Sequence, residues 1–207
     1  MSGAGAKTIR NCFVTGDLIS RSAHDRMCTG GLIGTISDPA TIKYCYAAVK
    51  TIYAQTDYNS GGSLVGGLVG EAYLSSGDIT VQNCISLCGG LSASATESGG
   101  PEAGNLVGYA DGYGGTITYT DCFSSPFAMH TLEGYSTNTT IPAGTSSDKN
   151  GAQLTPGNFN ADHDGALNGW ADQGWTVHAD RLPTLDPDAD SPQKGEFVWE
   201  GDGNQGT

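Results

Sequence analysis

The sequence is short of charge, and of positive charge above all. Charged residues make up 15% of its 207 positions, with 9 Lys and Arg against 22 Asp and Glu and a formal net charge of −13. A chain this acidic is repelled by phosphate backbones and anionic lipid, which excludes nucleic acid and membrane surfaces as partners. No apolar run approaches the roughly 20 residues that cross a bilayer, so no membrane insertion is expected. The opening Met1-Ser2-Gly3-Ala4-Gly5-Ala6 lacks the apolar core of a secretory signal. Good helix formers are scarce, while Thr, Ser, Gly, Ile, Val and Tyr are plentiful, a balance that favours short strands and tight turns. Also missing are a Gly-x-Ser-x-Gly elbow, a His-Glu-x-x-His pair and a phosphate-binding loop. Polysaccharide-cleaving β-helices need carboxylates clustered on one face. Here Asp25, Asp38, Asp57, Glu71, Asp78, Glu97 and Glu102 repeat no column. No catalytic residue is predicted.

What the chain does have is glycine, 32 residues of it, and a pattern stated three times. The runs Gly30-Gly31-Leu32-Ile33-Gly34, Gly66-Gly67-Leu68-Val69-Gly70 and Gly104-Asn105-Leu106-Val107-Gly108 start 66 − 30 = 36 and 104 − 66 = 38 residues apart. Interleaved with them is a strand-like segment carrying a cysteine: Thr8–Phe13, Thr41–Tyr46, Thr80–Ile85 and Thr118–Phe123, with Cys12, Cys45, Cys84 and Cys122 separated by 33, 39 and 38 residues. A fixed period of this size decides the architecture before any single residue does.

Reading down the copies gives matched columns. Ile9, Ile42, Val81 and Tyr119 precede the cysteines by three, and Arg10, Lys43, Gln82 and Thr120 by two. Phe13, Tyr46, Ile85 and Phe123 follow by one. Buried columns beside solvated ones are what a two-faced strand requires. Equivalent residues would then stack about 4.8 Å apart in successive rungs. The predicted fold is all-β, a right-handed parallel β-helix or solenoid with a mostly irregular C-terminal cap. A corner near Tyr44, whose counterparts Asn11, Asn83 and Asp121 tolerate left-handed geometry, would turn the cysteines inward as a buried ladder. Disulfide or metal ligation by those cysteines is the alternative. Leu68 and its counterparts are expected in the core, and Ile33, Val69 and Val107 as an outward apolar stripe needing a cover.

Gly-Gly-Leu-Val-Gly followed by Thr-Ile-x-Asn-Cys-Tyr resembles the GLUG-motif repeats of bacterial secreted and surface proteins, over roughly residues 8–125. Asn105 in place of the second glycine and Tyr44 in place of asparagine depart from the pattern. The resemblance implies an extracellular or cell-surface, adhesin-like module without catalytic residues, acting in adhesion, ligand binding or spacing. Its partners would be a glycan or a host-surface protein, with further domains of a longer parent protein flanking it. A carbohydrate-active β-helix enzyme fragment and a non-catalytic segment of a secreted protease are the alternatives.

The domain reading is repeats over 1–126, a capping region over 127–186 and an acidic linker or next element over 187–207. The stretches 15–29, 50–62 and 89–103 are read as loops, and the period as stopping after Pro126. Trp170, Trp175 and Leu185 are expected to cover the last rung. Phe13, Tyr46 and Phe123 are candidate sugar-stacking residues, their alternative a packing stripe along the rod. Asp186, Asp188 and Asp190 start like a calcium loop but lack its sixth-position glycine and twelfth-position glutamate, so they equally read as a solvated linker, and no other cofactor is expected. His163 between Asp162 and Asp164 reads as solvated.

Overall fold

The computed structural model describes residues 7–22, 26–56, 62–95, 100–125, 129–134, 141, 144–160, 165–179 and 181–188. The chain is all-β, and its strands form four parallel sheets. Sheet A holds β1 (Lys7–Arg10), β5 (Ala40–Lys43), β9 (Gly77–Gln82) and β14 (Gly115–Thr120). Sheet B holds β2 (Phe13–Ser22), β6 (Tyr46–Thr56), β10 (Ile85–Ser86), β11 (Gly90–Ala95), β15 (Phe123–Ser124), β16 (Met129–Gly134) and β17 (Ala152–Gln153). Sheet C holds β3 (Met27–Gly30), β7 (Ser63–Gly66) and β12 (Glu102–Gly104), and sheet D holds β4 (Ile33–Ile36), β8 (Val69–Tyr73) and β13 (Val107–Asp111). The chain visits A, B, C and D in that order and then returns to A. Register lines match the sequence columns residue for residue: Ile9, Ile42, Val81 and Tyr119 form one, and Phe13, Tyr46, Ile85 and Phe123 another.

Two corners explain the two motifs. Asn11, Tyr44, Asn83 and Asp121 take φ of 54°, 52°, 49° and 51°, turning the chain from sheet A to sheet B. The turn directs the next residue inward, so Cys45, Cys84 and Cys122 are buried in the main core. Each thiol donates to the carbonyl two residues back, as Cys84 does to Gln82 at 3.2 Å. It also reaches the rung before, as Cys122 does to the Val81 carbonyl at 3.4 Å. All six cysteines are free thiols.

The glycine run is the second corner, between sheets C and D, and not the strand interior that its apolar pair suggests. Leu68 and Val69 both donate their N–H to the Leu106 carbonyl, at 2.9 and 3.0 Å, and Leu32 and Ile33 do the same to Leu68. At a bend, adjacent residues can share a side. Leu68 and Val69 are therefore both buried, as are Leu106 and Val107, with Ile33 packed partly against them. The expected outward stripe is not there. A Cβ on Gly66 would collide with the Val69 carbonyl, and one on Gly67 with Ser86 Oγ and the Asn105 carbonyl of the next rung. The glycines thus serve close approach, and Ala47 and Ser86 across the interior are small for the same reason. Asn105 is tolerated because the layer beyond it is not another rung but residues 145–151, whose Lys149 carbonyl accepts from Leu106 and Val107.

The variable stretches are largely strand rather than loop. β6 and β11 run on beyond the cysteine corner, with Ile52, Ala54, Leu91, Ala93 and Ala95 buried at alternate positions. That period of two marks a half-buried strand even where Ser and Gly fill the other positions. The period also outlasts Pro126, because β16 pairs in parallel with β11, Met129 opposite Gly90.

Residues 144–184 follow the repeats. Ser146, Lys149 and β17 lie against the last turn of the repeats. The chain then doubles back over the outer side of sheet B as a strap, through α1 (Pro156–Asn160) and one 3-10 turn (Ala171–Gln173). A second core forms there from Leu154, Phe159, Leu167, Trp170, Trp175 and Leu182 against Tyr46, Ala48, Ile85 and Leu87. The strap reaches the first rung, where Asn11 Nδ2 donates to the Gln173 carbonyl at 2.6 Å. The tryptophans thus cover the flank of sheet B rather than the last rung, and Leu185 is 44% exposed while Leu182 is buried.

Candidate functional site

The predicted sugar-stacking aromatics stand in register, but under the strap. Tyr46 is 1% exposed, lies 5.2 Å from the Phe13 ring and 5.5 and 6.2 Å from Trp175 and Trp170, and donates its hydroxyl to the Pro183 carbonyl at 2.9 Å. Phe123 packs partly buried against the same cluster, and Phe13, at 46% exposure, sets its ring edgewise to Trp175. Tyr46 offers no free ring face, and Phe13 and Phe123 pack in part against it and the same cluster. Asp186 accepts the N–H of Asp188 at 3.0 Å, both are exposed, and Asp190 lies outside the described residues. His163 and the segment 197–199 lie outside them as well.

Five of the six thiols are raised and so are poor nucleophiles; Cys45 is instead lowered, first by its hydrogen bond with Cys84, but is buried in the core. Burial pushes Cys88 and Cys122 up to about 11 and Cys84 well above the ordinary thiol value. Cys28 is pushed to about 11 by desolvation first, with Glu71 beside it adding to the effect. The thiolate is the reactive form, and it is scarce at neutral pH.

The outer side of sheet D carries a set of residues that the repeat columns do not account for. Thr35, Glu71 and Tyr109 form one register line. Glu71 is only 7% exposed; Arg26 Nη1 sits 2.8 Å from its Oε1, and the Cys28 thiol donates to its Oε2 at 3.3 Å. A carboxylate this enclosed needs those partners, since burying an unpaired charge is costly. The Arg26 guanidinium also lies over the Tyr109 ring, 5.2 Å from its centroid, a cation–π contact. Tyr109 in turn donates its hydroxyl to Asp111 Oδ2 at 3.2 Å. Asp111 is the register partner of Tyr73, which is 40% exposed, and Tyr113 follows at 85%. Gly114 next to it donates to the Leu74 carbonyl, so Tyr113 sits beside the residues that follow Tyr73. The result is a braced face on which Asp111 stands opposite the open Tyr73, with the open Tyr113 in the turn that follows β13.

No protein-family model matches this chain, and no curated protein matches it. A crystal structure of a putative immunoglobulin A1 protease from Bacteroides ovatus is similar over 83% of this chain, at 16% sequence identity and a TM-score of 0.48. The matched region covers 55% of that protein, so the chain spans about half the length of the solved structure.

Sequence reasoning missed the sheet D face because its residues do not recur at the repeat period. The signal that could have found it is local: Gly70-Glu71-Ala72-Tyr73 and Gly108-Tyr109-Ala110-Asp111 both leave the glycine corner with the second and fourth residues large and polar or aromatic. That alternation puts a ligand-sized set of side chains on one side of a strand.

Proposed function

We propose that the four sheets are the faces of one right-handed parallel β-solenoid of GLUG-like repeats. We further propose that the chain is a non-catalytic, extracellular module of a bacterial surface or secreted protein that presents a binding face. One observation carries this reading: neighbouring repeat strands are parallel and one repeat apart in all four sheets, which the chain visits in a fixed order. In such a stack the motif residues are consumed by structure. The cysteines fill the A–B corner, the glycines the C–D corner and the apolar columns the core. What remains free to vary is the outer face, where function resides on a rigid scaffold.

The test combines two assays on the whole chain. Binding is measured on immobilised oligosaccharides and extracellular host proteins, and turnover by reducing ends and peptides released from soluble polysaccharides and unfolded casein. Saturable binding without product is expected. Product formation that is lost on heat denaturation would overturn the non-catalytic reading, and an absence of binding across both panels would overturn the binding role.

A further inference from the structure

We propose that the outer face of sheet D is a binding site for neutral oligosaccharides, with Tyr73 and Tyr113 as stacking platforms and Asp111 as the acceptor for sugar hydroxyls. It rests on the binding-module reading and gives that module its ligand class. Three observations carry it.

Among the described residues Tyr113 is the most open aromatic side chain; Phe13 and Tyr73 follow, and the Phe13 ring is already engaged by Tyr46 and Trp175. Exposing a tyrosine ring leaves its apolar body in water, and a ligand with an apolar face and a polar rim relieves that. A pyranose has a flat C–H face and hydroxyls around its edge. Asp111 stands opposite Tyr73 in register and two residues before Tyr113. Its Oδ2 already accepts from Tyr109, which orients the carboxylate and leaves Oδ1 to accept from a ligand hydroxyl.

The face is also held in place. Arg26 ties Glu71 to Tyr109, Tyr109 holds Asp111, and β8 and β13 beneath them are buried rungs of the core. A site whose supports are fixed before binding loses less entropy when the ligand arrives. Charge then selects among sugars. Arg26 is committed to Glu71 and the Lys149 ammonium donates to the Gly108 carbonyl of β13, while Asp111 and Glu102 leave the surroundings acidic on a chain of net charge −13. Uronate- or sialate-bearing glycans are repelled, and neutral ones are not.

The experiment is native affinity electrophoresis of the whole chain through gels containing mixed-linkage β-glucan, galactomannan, arabinoxylan or polygalacturonate. Retardation is expected in at least one neutral gel and not in polygalacturonate. The Tyr73→Ala/Tyr113→Ala variant should lose affinity by at least about tenfold, and Asp111→Asn by several-fold. Tyr73→Phe/Tyr113→Phe, which keeps the rings, should retain most of it. Because both rings are exposed, these variants should unfold at the wild-type temperature, so lost retardation reports the site. Wild-type retardation in the alanine variant would overturn this site while leaving a binding module that uses another surface. Retardation in polygalacturonate alone would overturn the ligand class. No retardation in any gel, with binding on the protein panel, would overturn the site, and no binding on either panel would overturn the binding module as well.

Discussion

At the scale of single residues, the molecule is decided by where a side chain cannot fit. Gly67 is the clearest case. Its missing Cβ makes room for Ser86 and for the backbone of the next rung. Gly67→Ala should cost about 1–3 kcal/mol by overpacking, a drop of several degrees in thermal midpoint by calorimetry, whereas Asn105→Gly should be close to neutral. Equal effects would mean that the corner is looser than its contacts imply. Tyr44 shows the converse. A non-glycine residue with φ of 52° is strained, yet its ring meets Trp170 edge-on at 6.1 Å, and that contact offsets the strain. The left-handed corner was legible because Asn11, Asn83 and Asp121 share a conformational tolerance. The glycine corner was not, because Leu-Val reads as strand until the bend between them is known.

At the scale of elements, the strap is what the repeat pattern could not announce. Its anchors Leu154, Phe159, Trp170, Trp175 and Leu182 have no fixed spacing, since they follow the flank of sheet B and not a helix or strand period. The aromatic column Phe13–Tyr46–Phe123 did hint at a cover, and the cover comes from the same chain. Trp170→Ala should destabilise by about 3–5 kcal/mol and raise binding of a hydrophobic dye as Tyr46 and Ile85 become exposed. Tyr46→Phe should cost about 1–2 kcal/mol by leaving the Pro183 carbonyl without its donor. If urea melts of both variants match the wild type, the strap is not part of the cooperative fold.

At the scale of the whole molecule, burial of ionisable groups makes stability depend on alkaline pH. Cys28, Cys88 and Cys122 are raised to about 11 from an ordinary value of 9.0, and burial also raises Tyr46 and Tyr119. A group raised in the folded state stabilises fully below its unfolded value and stops doing so as pH rises through the folded one. These raised groups should leave the thermal midpoint unchanged below about pH 9 and lower it toward pH 11, and Cys88→Ala should make that fall shallower. A reagent for free thiols at pH 8 should modify partly exposed Cys12 and Cys28 in the folded chain, slowly because their thiols are raised, and the other four only on unfolding.

The stack itself is open to one direct measurement, methyl–methyl nuclear Overhauser contacts in the labelled chain. Ile9, Ile42 and Val81 occupy one register line in successive rungs. Cross-peaks are expected between Ile9 and Ile42 and between Ile42 and Val81, with none between Ile9 and Val81, which stand two rungs and about 9.6 Å apart. A direct Ile9–Val81 contact, or Ile42 seeing neither neighbour, would contradict a one-repeat parallel stack.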